Sequence, residues 1–202
     1  SKGMINPLQV RPSPRDDEDE EEELRLYRDE GYGMNEPCNG QLSELAMHMK
    51  NLEIFFSLYI PSLTDMQKAV LKKCLVELYQ KFHITWDTDV TKLKAQDFPI
   101  FSDLYELVQE KTKTEKENQV YTDLAMLLYD IAEGADSFIW NGHTTVSGNS
   151  RFTVMDTHAL QETGDNIKRT QYFNILTYDW EQMSRDREER VLLICDEAYL
   201  MI

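Results

Sequence analysis

Between Gln41 and Gly134 the apolar residues recur every three or four positions, and residues that start or stop helices interrupt the pattern. The spacing predicts a first helix carrying Leu42, Leu45, Met49, Leu52 and Phe56 and stopping before Pro61. A second helix starts in the Ser62 to Asp65 region, where S-x-x-D resembles a capping box, and places Met66, Val70, Cys74, Leu75, Leu78 and Phe82 on one face. His83 to Pro99 has no period and reads as a loop. Ser102 is the expected cap of a third helix reaching about Glu110, with Phe101, Leu104 and Val108 inward. A fourth runs from about Glu115 to Ala132, and Gly134 is placed to end it.

After this stretch the period changes. Arg151 to Asp156 alternates as a strand does, and Asp165 to Asp186 is helical with Phe173, Leu176, Trp180 and Met183 on one stripe. Arg190 to Cys195 is a nearly unbroken apolar run ending at Asp196-Glu197. Strand, helix and apolar strand in that order predict a βαβ unit with a parallel sheet buried on both faces. The fold class expected is therefore α/β with an all-helical subdomain.

At the N-terminal end, residues 4 to 10 form a short apolar stretch whose Pro7 restricts any strand to an edge or an end. Residues 11 to 40 turn to Pro, Gly and acids, including the eight consecutive acids Asp16 to Glu23. Such a run repels itself and buries little, so it reads as a solvated linker. The division expected is 1–10 as an edge strand piece, 11–40 as linker, 41–137 as the helical subdomain and 138–202 as the βαβ part. The first residue is not Met and the chain closes on Leu200-Met201-Ile202, so both ends read as internal to a longer polypeptide.

Charge narrows the function. Subtracting those eight acids from the net charge of −16 leaves −8, so the remainder is acidic and unsuited to neutralising phosphates non-specifically. Cys38, Cys74 and Cys195 are odd in number and lack C-x-x-C spacing, which argues for free thiols. No run of about eighteen apolar residues is present, so no transmembrane segment is expected.

Val191-Leu192-Leu193-Ile194-Cys195-Asp196-Glu197 has the form of a Walker B strand. At the carboxyl edge of a parallel sheet, Asp196 would hold the Mg²⁺ shell of ATP and Glu197 would orient and deprotonate the attacking water. The same pattern also arises where two acids simply meet solvent at a sheet end. The partner loop G-x-x-x-x-G-K-[ST] is absent from the 202 residues.

Several stretches in order carry a resemblance: Ile5-Asn6-Pro7-Leu8, the acidic run, the helical region, Phe138 to Thr144, Phe152 to Asp156, the long helix, and Val191 to Leu200. Together they resemble the conjugative type IV secretion ATPase family of the TraE/TraC, or VirB-four, kind. In that family Walker B commonly reads D-E-A-W; here Tyr199 takes the aromatic position, Trp140-Asn141-Gly142-His143-Thr144 replaces the commoner Phe-Asn-Gly, and Cys195 precedes the acid. The resemblance implies an incomplete RecA-like P-loop core with an all-helical insertion, and a parent that hydrolyses ATP with Mg²⁺. It implies a homo-oligomer, a hexamer, at the cytoplasmic base of the secretion channel, peripheral to the inner face of the cell membrane. That oligomer would work with other channel proteins and move DNA or protein substrate. Asp156 and Thr157 would face the nucleotide, with the Walker A loop upstream of Ser1 and the sensor glutamine and arginine finger downstream of Ile202. The chain alone would then be inactive.

Other constellations are read more plainly. Glu44 and His48 share a helix face and read as a surface pair rather than a metal site. His143 and His158 fall near the expected strand edge, where Asp156 could equally be a loop-capping carboxylate. Tyr79, Phe82, Trp86 and Phe98 to Phe101 read as core, and Arg185 to Arg190, interleaved with acids, as a solvated helix end. Two alternatives to the secretion motor stay open: a helical protein-interaction module without catalysis, and a piece of another DNA-translocating P-loop ATPase.

Overall fold

The computed structural model describes residues 3–12, 43–115, 118–146, 152–184 and 190–195. Helix α1 (Glu44–Tyr59) starts where the Ser43 side chain accepts from the Ala46 amide. In α2 (Asp65–Lys81) the cap is Thr64 rather than Ser62, with Gln67 completing a reciprocal capping box. The expected loop 83–99 contains two short 3₁₀ turns, Val90–Lys92 and Ala95–Asp97.

Helix α3 (Phe101–Thr114) is not capped by Ser102. Asp103 reaches back to the Ile100 amide at 2.7 Å, while Ser102 lies inside the helix and its amide donates to Asn141 Oδ1 at 2.9 Å. Helix α4 (Gln119–Ala132) is capped by the Asn118 side chain, so it begins four residues later than Glu115. Gly134 does end it: its amide donates to Tyr129 O, and a Cβ there would sit 2.7 Å from Asp130 Cα. One short turn, α5 (Ser137–Trp140), and the long α6 (Asp165–Ser184) complete the described helices.

The main core is the inward faces of α1 to α4 with Trp140 fully enclosed among them. Phe55 stacks on Phe101 at 5.8 Å and meets Trp140 edge-on at 5.5 Å, and Tyr59 meets the same indole at 5.2 Å. Each such burial contributes about 1.5–3 kcal/mol through surface removed from water. Leu8 and Val10 from the N-terminal segment belong to this core, which therefore extends outside 41–137. A second, smaller cluster joins Ile5 to Ile175 and Tyr178 of α6, with Val146 and Met155 against it. Met66, assigned inward by its spacing, is 63% exposed, and Trp86 also reaches solvent.

The expected RecA-like P-loop core of parallel strands, with its βαβ unit, is overturned. Among the described residues there is no strand, and the architecture is helical. Residues 191 to 194, expected to be buried on both faces, are exposed by 48%, 81%, 43% and 79%. A strand is stabilised by a hydrogen-bonded neighbour on its edge, and no described segment lies beside this one as a ladder. The N-terminal segment fails as a strand for a related reason. Thr145 N donates to Met4 O at 2.9 Å, but the return bond from Met4 N goes to the Thr145 hydroxyl, and Pro7 has no amide to continue.

Candidate functional site

The N-terminal segment has few backbone partners of its own, so side chains supply them. Asn6 is fully buried: its Nδ2 donates to Pro99 O at 2.9 Å and its Oδ1 accepts from the Leu8 amide at 3.0 Å. That second bond closes an Asx turn around Pro7. The Asn6 amide donates to Thr144 Oγ1 at 3.0 Å, and the Tyr79 hydroxyl donates to Leu8 O at 2.8 Å. From the other side, Asn174 Nδ2 of α6 donates to Ile5 O at 3.0 Å. Four parts of the fold thus converge on residues 5 to 8.

Arg11 extends the same contact line. Its Nη1 meets Glu181 Oε2 at 2.9 Å with the Glu181 side chain buried and its own 9% exposed, its Nη2 donates to Asn6 O at 3.4 Å, and its guanidinium lies 4.9 Å from the Tyr178 ring centre. Arg11 therefore belongs to the folded body rather than to the linker of 11–40. Arg suits such a site because its planar fork can pair and stack at once.

Asp156 is exposed, and its Oδ1 accepts from the His158 amide at 2.9 Å, an Asx-turn bond at the start of the 3₁₀ turn His158–Glu162, whose N-cap residue is Thr157. Thr157 is half-buried and accepts from the Tyr172 hydroxyl at 3.4 Å, which ties it to α6. The segment 190–195 runs toward Asp196 and Glu197, which lie outside the described residues, as do most of Arg185 to Arg190. Among the described residues no three His, Cys, Asp or Glu side chains gather as a metal site. An adjacent Asp-Glu pair fits the oxygen chemistry that Mg²⁺ requires, and the G-x-x-x-x-G-K-[ST] loop that would cradle phosphates is absent from the 202 residues.

Glu44 and His48 are not a surface pair. His48 is buried edge-on to Tyr79 at 6.1 Å, its Nε2 has no partner among the described residues, and Glu44 accepts from the Val90 amide at 3.4 Å instead. Burial, with a smaller contribution from the Arg11 charge, lowers the His48 pKa to about 3, so the ring is neutral.

The whole chain matches a solved structure, VirB4 of Thermoanaerobacter pseudethanolicus, at 40% sequence identity with a TM-score of 0.80, over 98% of this chain and 65% of that one. The chain belongs to the VirB4 family. No family model matches it, and no curated protein does.

This VirB4-family chain spans 65% of the length of that solved relative. The polar residues that join the N-terminal segment to α6, Asn6, Arg11, Asn174 and Glu181, are ones that apolar periodicity does not find. On α6 the buried positions include Thr170, Tyr172, Asn174, Tyr178 and Glu181, whereas the apolar stripe leads to Trp180, which is 64% exposed. The one sequence signal near them is Ile5-Asn6-Pro7-Leu8, whose order carries the family resemblance without showing its bonding. Among the described residues no helix is long and apolar enough to cross a membrane.

Proposed function

We propose that this chain is part of a motor ATPase that powers transfer of DNA or protein through a conjugative type IV secretion system. The carrying observation is the 40% identity to VirB4 across 98% of the chain. In this reading Asp196 contributes a carboxylate oxygen to the Mg²⁺ shell, and Glu197 holds the attacking water and takes its proton. A bound Mg²⁺ would supply charge neutralisation at the phosphates. Asp156 and Thr157 stand at the nucleotide side of α6, with residues 41–137 as a helical insertion where other channel proteins dock. The parent works as a hexamer at the cytoplasmic face of the membrane. Because the G-x-x-x-x-G-K-[ST] loop is absent from these 202 residues, the phosphates are held by residues outside them.

Two measurements test this. The full-length parent is expected to hydrolyse ATP in a Mg²⁺-dependent way, and the 202-residue chain to give no heat of Mg-ATP binding by titration calorimetry. Micromolar affinity in the short chain would show that its own residues suffice to bind nucleotide. A parent without Mg²⁺-dependent turnover would remove the ATPase reading.

A further inference from the structure

We propose that Arg11 and Asn174 are positioning residues: they hold the C-terminal half of α6, the last described helix before Asp196 and Glu197 in the sequence, against the N-terminal segment. The part concerning those two acids rests on the ATPase reading.

Helix α6 is gripped in two different ways along its length. Its N-terminal half binds the helical body directly: Asn166 Nδ2 donates to Tyr59 O at 2.9 Å, and Trp140 Nε1 donates to the Gln171 side chain. Further along, the described polar contacts shift to the N-terminal segment and residue 146. Asn174 reaches Ile5 O, the Tyr178 hydroxyl donates to Val146 O at 3.3 Å, and Arg11 pairs with Glu181 while covering the Tyr178 ring. The apolar contacts divide in the same way: Phe173 packs on the main core, while Ile175 and Tyr178 form the separate cluster with Ile5.

The segment that grips the C-terminal half is itself fastened to the body. Asn6 bonds Pro99 O just before α3, Leu8 O receives the Tyr79 hydroxyl of α2, and Leu8 and Val10 are in the main core. A displacement of α6 near Glu181 therefore meets resistance through residues 5 to 11. Glu181 stands fifteen positions before Asp196 in the sequence.

Hydrogen exchange on the 202-residue chain reads the structural half of the claim. In Arg11→Met the amides of 172–184 are expected to speed up about tenfold or more beyond any rise at 119–132. The exchanged pair, Arg11→Glu with Glu181→Arg, is expected to restore protection. Asn174→Leu, which keeps the helix but loses the bond to Ile5 O, is expected to loosen the same amides. Unchanged exchange at 172–184, or an equal rise in every helix, overturns the proposal.

In the full-length parent, Arg11→Met is expected to lower kcat for ATP about tenfold with KM changed by less than about twofold, and the exchanged pair to recover most of it. A loss of turnover only in proportion to unfolded protein overturns the positioning role. If the parent with its native residues has no turnover, the ATPase reading fails instead, and the exchange result alone decides whether Arg11 and Asn174 hold α6.

Discussion

Arg11 and Glu181 are 170 positions apart in the chain and 2.9 Å apart in space, with side chains 9% and 6% exposed. A buried pair is expensive to break because the remaining charge stays desolvated. Glu181→Leu or Arg11→Met is therefore expected to lower unfolding free energy by about 3–5 kcal/mol in urea titration. By contrast, Lys81→Met, which breaks a pair with Glu110 that is half in solvent, is expected to cost about 1 kcal/mol or less. Equal effects at the two sites would contradict the burial argument.

Asn6 gives a second test through hydrogen bonding. Asn6→Leu keeps an apolar shape of similar size but leaves the Leu8 amide and Pro99 carbonyl without their side-chain partners. Each buried orphan costs about 1–3 kcal/mol, so a loss of about 2–5 kcal/mol by urea titration is expected. A change below about 1 kcal/mol would mean that other groups satisfy them.

His83 should respond in the opposite direction. It is the C′ residue of α2 in a left-handed conformation, φ 59°, with the Ile84 amide donating to Tyr79 O and its own to Gln80 O. These are the two bonds of a Schellman motif, in which glycine is the favoured residue at this position. His83→Gly is expected to raise stability by about 0.5–1 kcal/mol in thermal unfolding, since the Cβ penalty of the left-handed region is relieved. A fall would show that the imidazole makes a compensating contact.

The helical part of the fold is largely legible in sequence because its buried faces are apolar. Leu45, Met49, Leu52 and Phe56 are all buried on α1, and Cys74, Leu75 and Leu78 on α2. Helix starts are less legible, because any of several neighbouring polar residues can cap: Thr64 caps in place of Ser62, and Asp103 acts from inside α3 in place of Ser102. On α6 the pattern misleads, since Asn174, Tyr178 and Glu181 are buried through bonds to residues 5 to 11 that local periodicity does not contain. Val191 to Ile194 has the composition of a buried strand, yet pairing is a property of two segments and the described residues supply only one. Of the candidate site, Asp156 is exposed and accepts from the His158 amide, and Asp196 and Glu197 lie outside the described residues.

His48 makes a pH prediction. Its pKa is about 3 in the folded chain against 6.5 in a free side chain, so the unfolded state binds the extra proton first. Its contribution to stability is complete above pH 6.5 and is lost as pH falls from there toward 3. The expected slope between pH 6 and pH 4.5 is about 1.4 kcal/mol per pH unit from this group. Urea titrations across that interval should show a shallower slope in His48→Leu; identical slopes would mean that the ring is solvated or partnered when protonated.

The reading of this VirB4-family chain as part of a motor ATPase is tested most directly by Mg-ATP turnover in the full-length parent carrying Glu197→Gln. Removing the carboxylate that takes the proton from water, while leaving Asp196 in place, is expected to reduce turnover to background with nucleotide binding retained. Turnover equal to that of the unaltered parent would contradict the account.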